Sequence, residues 1–225
     1  MDKYPVVLAI DTISCDKRII LLSEELSQVL SGFKVGLPTL ISCGTAFLKD
    51  LRDAVGNTLI IADLKLADIG DIMVRTASLV KDYVDAVIAH AFVGRRGGLD
   101  VLSEELSRWD VKLILVASMS HPGSQEFYDA IADRVIGLAR DLNAWGVVAP
   151  ATRPDVIRVI RDRLRDVKIF SPGVGVQGAR PGEALCAGAD YEIVGRAILE
   201  ASDPLAAAKS VGEEALGAMK RCQRA

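Results

Sequence analysis

The sequence has no apolar run long enough to cross a bilayer, and its amino terminus, Met1-Asp2-Lys3-Tyr4-Pro5, lacks a basic region leading into an apolar segment. These absences argue against a membrane protein and a secretory leader, and a cytoplasmic location is expected. Charge of one sign is also missing: the formal net charge is −3 and Lys and Arg are scattered. Neither nucleic acid nor an anionic membrane is therefore an expected partner, and any anion site must be local. Cys15, Cys43, Cys186 and Cys222 include no Cys-x-x-Cys pair, which argues against a zinc site and a disulfide framework. All four are expected to be reduced, structural thiols. Histidine is scarce, and no His or carboxylate cluster has ligand spacing, so no metal is expected. Nor does any nucleophile pair with a base as acyl transfer requires.

What is present is apolar material in a repeating pattern. Half of the 225 residues are hydrophobic and a quarter charged, the make-up of a globular chain with an ample core. Apolar strand-like runs occur at 5–11, 32–38, 58–65, 86–92, 112–118, 146–150, 167–173 and 191–196. Between them lie segments with apolar residues at helical spacing, among them one helix over about 39–55 and one opened by Asp68. Ser202-Asp203-Pro204 reads as the cap and first turn of a closing helix. Eight strand–helix units without a proline-rich, serine-rich or charged linker predict a single-domain (β/α)₈ TIM barrel over 1–225. A doubly wound open sheet is the alternative fold.

In such a barrel the reactive face is built from the carboxyl ends of the strands. Asp11 ends the first run, Lys34 lies in the second, and Asp63 and Lys65 close the third, with Asp68 in the loop beyond. Neighbouring strands lie about 4.8 Å apart, so Lys34, Asp63 and Lys65 can form a chain of alternating sign that Asp11 approaches. A buried charge without a partner costs several kcal/mol, and alternation removes that cost. A structural ion pair is the plainer account of the same residues.

The seventh and eighth runs end differently, in Ser171-Pro172-Gly173-Val174-Gly175-Val176-Gln177-Gly178 and Gly195-Arg196. Glycines let backbone amides approach an anion and Arg binds two oxygens at once, so this pair of loops has phosphate chemistry. The match to G-x-G-x-x-G comes too late in the alternation for a dinucleotide fold. His90 is expected to be a packed, hydrogen-bonded imidazole, His121 a loop residue without an assigned role, and Arg95-Arg96 a solvated pair.

Taken together, Asp11, Lys34-Val35-Gly36, Asp63-x-Lys65-x-x-Asp68-Ile69, Met119-Ser120-His121-Pro122-Gly123, Pro172-Gly173-Val174-Gly175-x-Gln177-Gly178 and Gly195-Arg196 resemble the orotidine 5′-monophosphate decarboxylase family in its compact archaeal form. Magnesium-dependent sugar-phosphate decarboxylases and aldolases share Asp-x-Lys-x-x-Asp, but they carry a carboxylate where this chain has Lys34. A non-catalytic phosphate-binding barrel is the third reading. The resemblance implies cofactor-free conversion of orotidine 5′-monophosphate to uridine 5′-monophosphate, the last step of de novo pyrimidine nucleotide synthesis. It implies Lys65 as proton donor, Asp63 beside the substrate carboxylate, and Lys34 and Asp11 at the ribose. Ser120 would read the pyrimidine edge, while Pro172, Val174, Gln177, Gly195 and Arg196 would form the phosphate end. Asp68 and Ile69 would reach the neighbouring site of a homodimer. One departure is that Gly70-Asp71-Ile72 stands where the family often has Pro-x-Thr, and Ile72 cannot donate the hydrogen bond of that Thr.

Overall fold

The computed structural model describes residues 3 to 222. Eight parallel strands, β1 (Tyr4–Ile10), β2 (Leu30–Gly36), β3 (Leu59–Leu66), β4 (Ala86–His90), β5 (Lys112–Val116), β6 (Gly146–Val148), β7 (Lys168–Pro172) and β8 (Tyr191–Val194), pair in sequence order. β8 returns to β1 through Val7↔Ile193, which closes the barrel as the unbroken alternation predicts. The strands are rich in fully buried residues such as Leu8, Ile10, Phe33, Ile60, Ile61 and Phe170 because helices cover their outer faces.

The helices are α1 (Lys17–Leu26), α2 (Leu37–Cys43), α3 (Ala46–Val55), α4 (Gly70–Ser78), α5 (Asp100–Arg108), α6 (Ser124–Asp141), α7 (Pro154–Arg163), α8 (Glu183–Cys186), α9 (Arg196–Leu199) and α10 (Pro204–Cys222). Asp203 caps α10 by accepting from the Ala206 amide at 2.9 Å, as the Ser-Asp-Pro pattern indicates.

Several expectations need correction. The single helix over 39–55 is two: Gly44, at φ 69°, ends α2 in a backbone conformation that few other residues adopt cheaply, and α3 restarts at Ala46. Asp68 does not open α4, which begins at Gly70. A Cβ at Gly70 would lie 2.5 Å from Val101, so the glycine lets α4 approach α5. The cysteines are not free thiols. Cys15 is bonded to Cys43 and Cys186 to Cys222, with Cα separations of 5.4 and 5.7 Å. Their sequence separations are 28 and 36 residues. Local spacing rules miss such pairs, whereas a barrel lays consecutive strand–helix units side by side.

Candidate active site

The charges at the ends of β1, β2 and β3 form one chain. Register pairs Ala9 with Lys34 and Gly36 with Asp63, which brings the side chains of Asp11, Lys34, Asp63 and Lys65 to the carboxyl end of the barrel. The Lys34 ammonium lies 3.3 Å from Asp11 and 3.0 Å from Asp63, and the Lys65 ammonium spans both oxygens of Asp63 at 2.7 and 2.8 Å. Lys34 and Asp63 are buried. Burial opposes the charge on each, yet the two lysines outweigh it at Asp63 and hold that carboxyl below its ordinary range. Likewise, burial works against the Lys34 ammonium, but Asp63 and Asp11 outweigh it and raise that group above its usual value. The two buried members, Lys34 and Asp63, are therefore held in their charged forms at neutral pH.

Lys65 differs from its neighbours. Its φ is 45°, left-handed for a non-glycine residue, and the β3–β4 register shifts between Ala62 and Leu66. Such a conformation costs on the order of 1–3 kcal/mol and persists where surrounding contacts enforce it. Its side chain remains 39% exposed while that of Asp63 is 7% exposed, so one end of the array faces open space.

That space is a cavity of about 1090 Å³ over the barrel mouth. Asp11, Lys34, Asp63 and Lys65 lie on its wall, and Ile88, Val116 and Val148 supply apolar surface. Ser120 is present, on a loop pinned where the Ser124 hydroxyl accepts from the Met119 amide at 3.0 Å. On the opposite side Pro172, Val174, Gln177, Gly195 and Arg196 also line the cavity. The loop after β7 folds on itself: the Gly175 amide donates to Ala179 and the Gly178 amide to Gly175, both at 2.9 Å. Gly173, Gly175 and Gly178 all have positive φ there, and the tip carrying Val176 and Gln177 is exposed.

Two of the expected site residues lie elsewhere. Asp68 and Ile69 are absent from the cavity lining and exposed, and among the described residues the Asp68 carboxylate accepts only from the adjacent Ile69 amide, at 2.7 Å. His90 is a half-buried imidazole bonded to the Tyr128 hydroxyl, as expected, and Arg95 and Arg96 are solvated. Among the described residues, no group of three or more His, Cys, Asp or Glu could hold a metal ion. No helix among them is long and apolar enough to cross a membrane.

Two residues escaped the sequence reading. Thr39, buried in α2, shares its hydroxyl between the carbonyls of Ile10 at 3.1 Å and Thr12 at 2.8 Å. Ser118 lines the cavity beside Ser120, with a buried hydroxyl that has no protein partner. Neither had a signal beyond its residue type, because both roles depend on where the barrel brings the next strand.

Residues 4–211 match the model of the Orotidine 5'-phosphate decarboxylase / HUMPS family. The orotidine 5'-phosphate decarboxylase of Aeropyrum pernix is 47% identical over 87% of this chain and 81% of the relative. That of Pyrococcus furiosus is 42% identical over 93% and 96%. A crystal structure of orotidine 5'-monophosphate decarboxylase from Sulfolobus solfataricus superposes with a TM-score of 0.88 at 36% identity, covering 96% of this chain and 99% of its own. The Methanocaldococcus jannaschii enzyme, complexed with the inhibitor BMP, gives 0.87 at 32% identity, covering 95% and 99%. With the barrel and the charge array in place, these matches show that the chain belongs to the orotidine 5'-phosphate decarboxylase / HUMPS family.

Proposed function

We propose that this chain decarboxylates orotidine 5′-monophosphate to uridine 5′-monophosphate. The observation that carries the reading is the Asp11–Lys34–Asp63–Lys65 chain at one wall of a cavity whose opposite wall holds Gly195, Arg196 and the glycine-rich loop. A phosphorylated nucleotide fits that polarity. Its phosphate would meet Gln177, Gly195 and Arg196, its ribose Lys34 and Asp11, and its pyrimidine edge Ser120, with Pro172 and Val174 as the apolar rim.

In this reading the substrate carboxylate lies beside Asp63 and Lys65. The bond from C6 to the carboxyl carbon breaks, its electron pair stays on C6, and CO₂ leaves. Lys65 gives a proton to C6 and is reprotonated from solvent. A carbanion with no conjugated sink needs a fixed cation near it, and Lys65 is held by Asp63 before the charge develops. No reorganisation is then needed at the moment of reaction. Lys34, locked between two carboxylates, keeps the buried Asp63 ionised next to the substrate. The remote phosphate supplies binding energy that orients the ring, with the Gln177 loop closing over it.

The assembly is a homodimer in which Asp68 and Ile69 serve the neighbouring site. Supporting this, among the described residues Asp68 bonds only to its own backbone neighbour, and Ile69 and Ile72 expose 63% and 42% of their surface. The enzyme works in the cytoplasm, where nucleotide synthesis requires it, without metal or cofactor.

The test of the reaction is loss of orotidylate ultraviolet absorbance in the presence of EDTA. Turnover there supports the reading, and a strict requirement for magnesium would move the chain to the sugar-phosphate branch. The composite site has its own test. Lys65→Ala and Asp68→Asn should each be nearly inactive alone. Mixed and allowed to exchange subunits, they should recover up to about a quarter of wild-type activity, since half of the dimers then hold one intact site. No recovery despite demonstrated exchange would place Asp68 in its own subunit's site.

A further inference from the structure

The segment from Asp11 to Asp16 joins β1 to α1 and supplies Asp11, Thr12, Ser14 and Asp16 to the cavity. Most of it is exposed, including Asp11, Ile13, Ser14 and Cys15, so packing within the segment does little to hold it. Its principal anchors come from one element, α2. Near the start of that helix the buried Thr39 hydroxyl bonds to the carbonyls of Ile10 and Thr12. At the end of the helix Cys43 is covalently bonded to Cys15. Moreover, α2 follows directly on Lys34-Val35-Gly36, so the helix that grips the segment is continuous with the strand carrying Asp11's cationic partner. The fit is close, since a Cβ at Gly36 would overlap the Asp11 carboxylate.

We propose that the Cys15–Cys43 disulfide is a positioning element of the active site, holding the Asp11 segment against α2 so that Asp11 stays beside Lys34 where substrate meets it. This rests on the assignment of Asp11 to the ribose. The second disulfide supplies an internal contrast. Cys186–Cys222 ties α8 to the last described turn of α10, and neither cysteine lines the cavity. It stabilises the closing helix without reaching the site.

The physical expectation separates the two. Exposed segments with few buried contacts open at low free-energy cost. When only a fraction of molecules is binding-competent, apparent affinity falls by that fraction. If the uncrosslinked segment is competent a tenth to a third of the time, KM rises about three- to tenfold. At saturating substrate the segment is drawn back into place, so kcat changes by less than about twofold.

The experiment measures KM, kcat and Tm for the full chain and for Cys15→Ser, Cys43→Ser, Cys222→Ser, Thr39→Val, Thr39→Ser and Asp11→Ala. Cys15→Ser and Cys43→Ser should raise KM with kcat nearly unchanged. Thr39→Val should act in the same direction, and Thr39→Ser, which keeps the hydroxyl, should not. Cys222→Ser should lower Tm and leave KM alone. If Cys15→Ser and Cys43→Ser do not fold, dithiothreitol applied to folded Cys222→Ser protein reduces the remaining disulfide to two thiols and is itself oxidised to the cyclic disulfide. KM should rise there as well. An unchanged KM in Cys15→Ser, Cys43→Ser or reduced protein, alongside a raised KM in Asp11→Ala, overturns the proposal and leaves the ribose assignment standing. An unchanged KM in Asp11→Ala removes the assignment and the proposal with it.

Discussion

Both ends of the barrel set a cationic side chain against Asp, and they use it in opposite ways. At the amino end Arg52 donates to the carbonyls of Tyr83 at 3.2 Å, Gly56 at 2.6 Å and Thr58 at 3.0 Å, and to Asp85 at 2.7 Å. Asp85 in turn accepts from the Ile60 amide. Arg161 repeats the arrangement four strands later, with carbonyls of Gly188, Leu164, Arg165 and Val167 and the carboxylate of Asp190, which accepts from the Ile169 amide. In each guanidinium Nε and Nη1 are taken up by backbone carbonyls and Nη2 by an Asp, so the two residues lock the starts of β3, β4, β7 and β8. At the carboxyl end the ions bond mainly to one another, one of them stands on a strained residue, and Lys65 keeps an open side. The lesson is that an ion pair reads as structural when backbone groups complete it and as chemical when they do not.

The comparison is sharpened by substitutions whose effects should fall on one axis only. Arg161→Ala should have the largest effect on folding, a loss of about 3 kcal/mol from four abandoned carbonyls and from a partly buried Asp190 that keeps Lys168 as its cationic partner. For a chain of this size that corresponds to a fall in Tm of roughly 6 to 12 °C, read by calorimetry, with KM and kcat of the folded fraction unchanged. A kinetic effect without a stability effect would break the division between the two ends. Arg196→Ala should do the reverse. Loss of a charge-assisted contact to phosphate is worth about 2 kcal/mol, or roughly thirtyfold in KM, with Tm little changed. A wild-type KM in that variant would contradict the phosphate assignment.

Much of this division was legible in the residue order. Buried strands announce themselves as apolar runs, and charges at their ends are conspicuous because burial there is costly. Asp11, Lys34, Asp63 and Lys65 could therefore be brought together from strand adjacency alone. What could not be read depends on neighbours distant in sequence. Nothing near Cys15 signals Cys43, and Arg161 looks like any surface arginine on a helix until the chain returns at Gly188. Gly70, puzzling as a departure from Pro-x-Thr, becomes intelligible once Val101 is seen against it. Lys65 lies between these cases. The expected chain of alternating sign put its side chain beside Asp63, which holds, but the left-handed backbone that delivers it there leaves no trace in sequence.

The central claim is that Lys65, held by Asp63 at the open end of the array, gives the proton and stabilises the developing charge. Lys65→Ala separates this from a structural role when turnover of orotidylate and calorimetric binding of uridine 5′-monophosphate are measured on the same folded protein. The account predicts a loss of at least about a thousandfold in kcat, from combined proton transfer and electrostatic stabilisation, with product affinity kept within about tenfold. A kcat within about tenfold of wild type would contradict it.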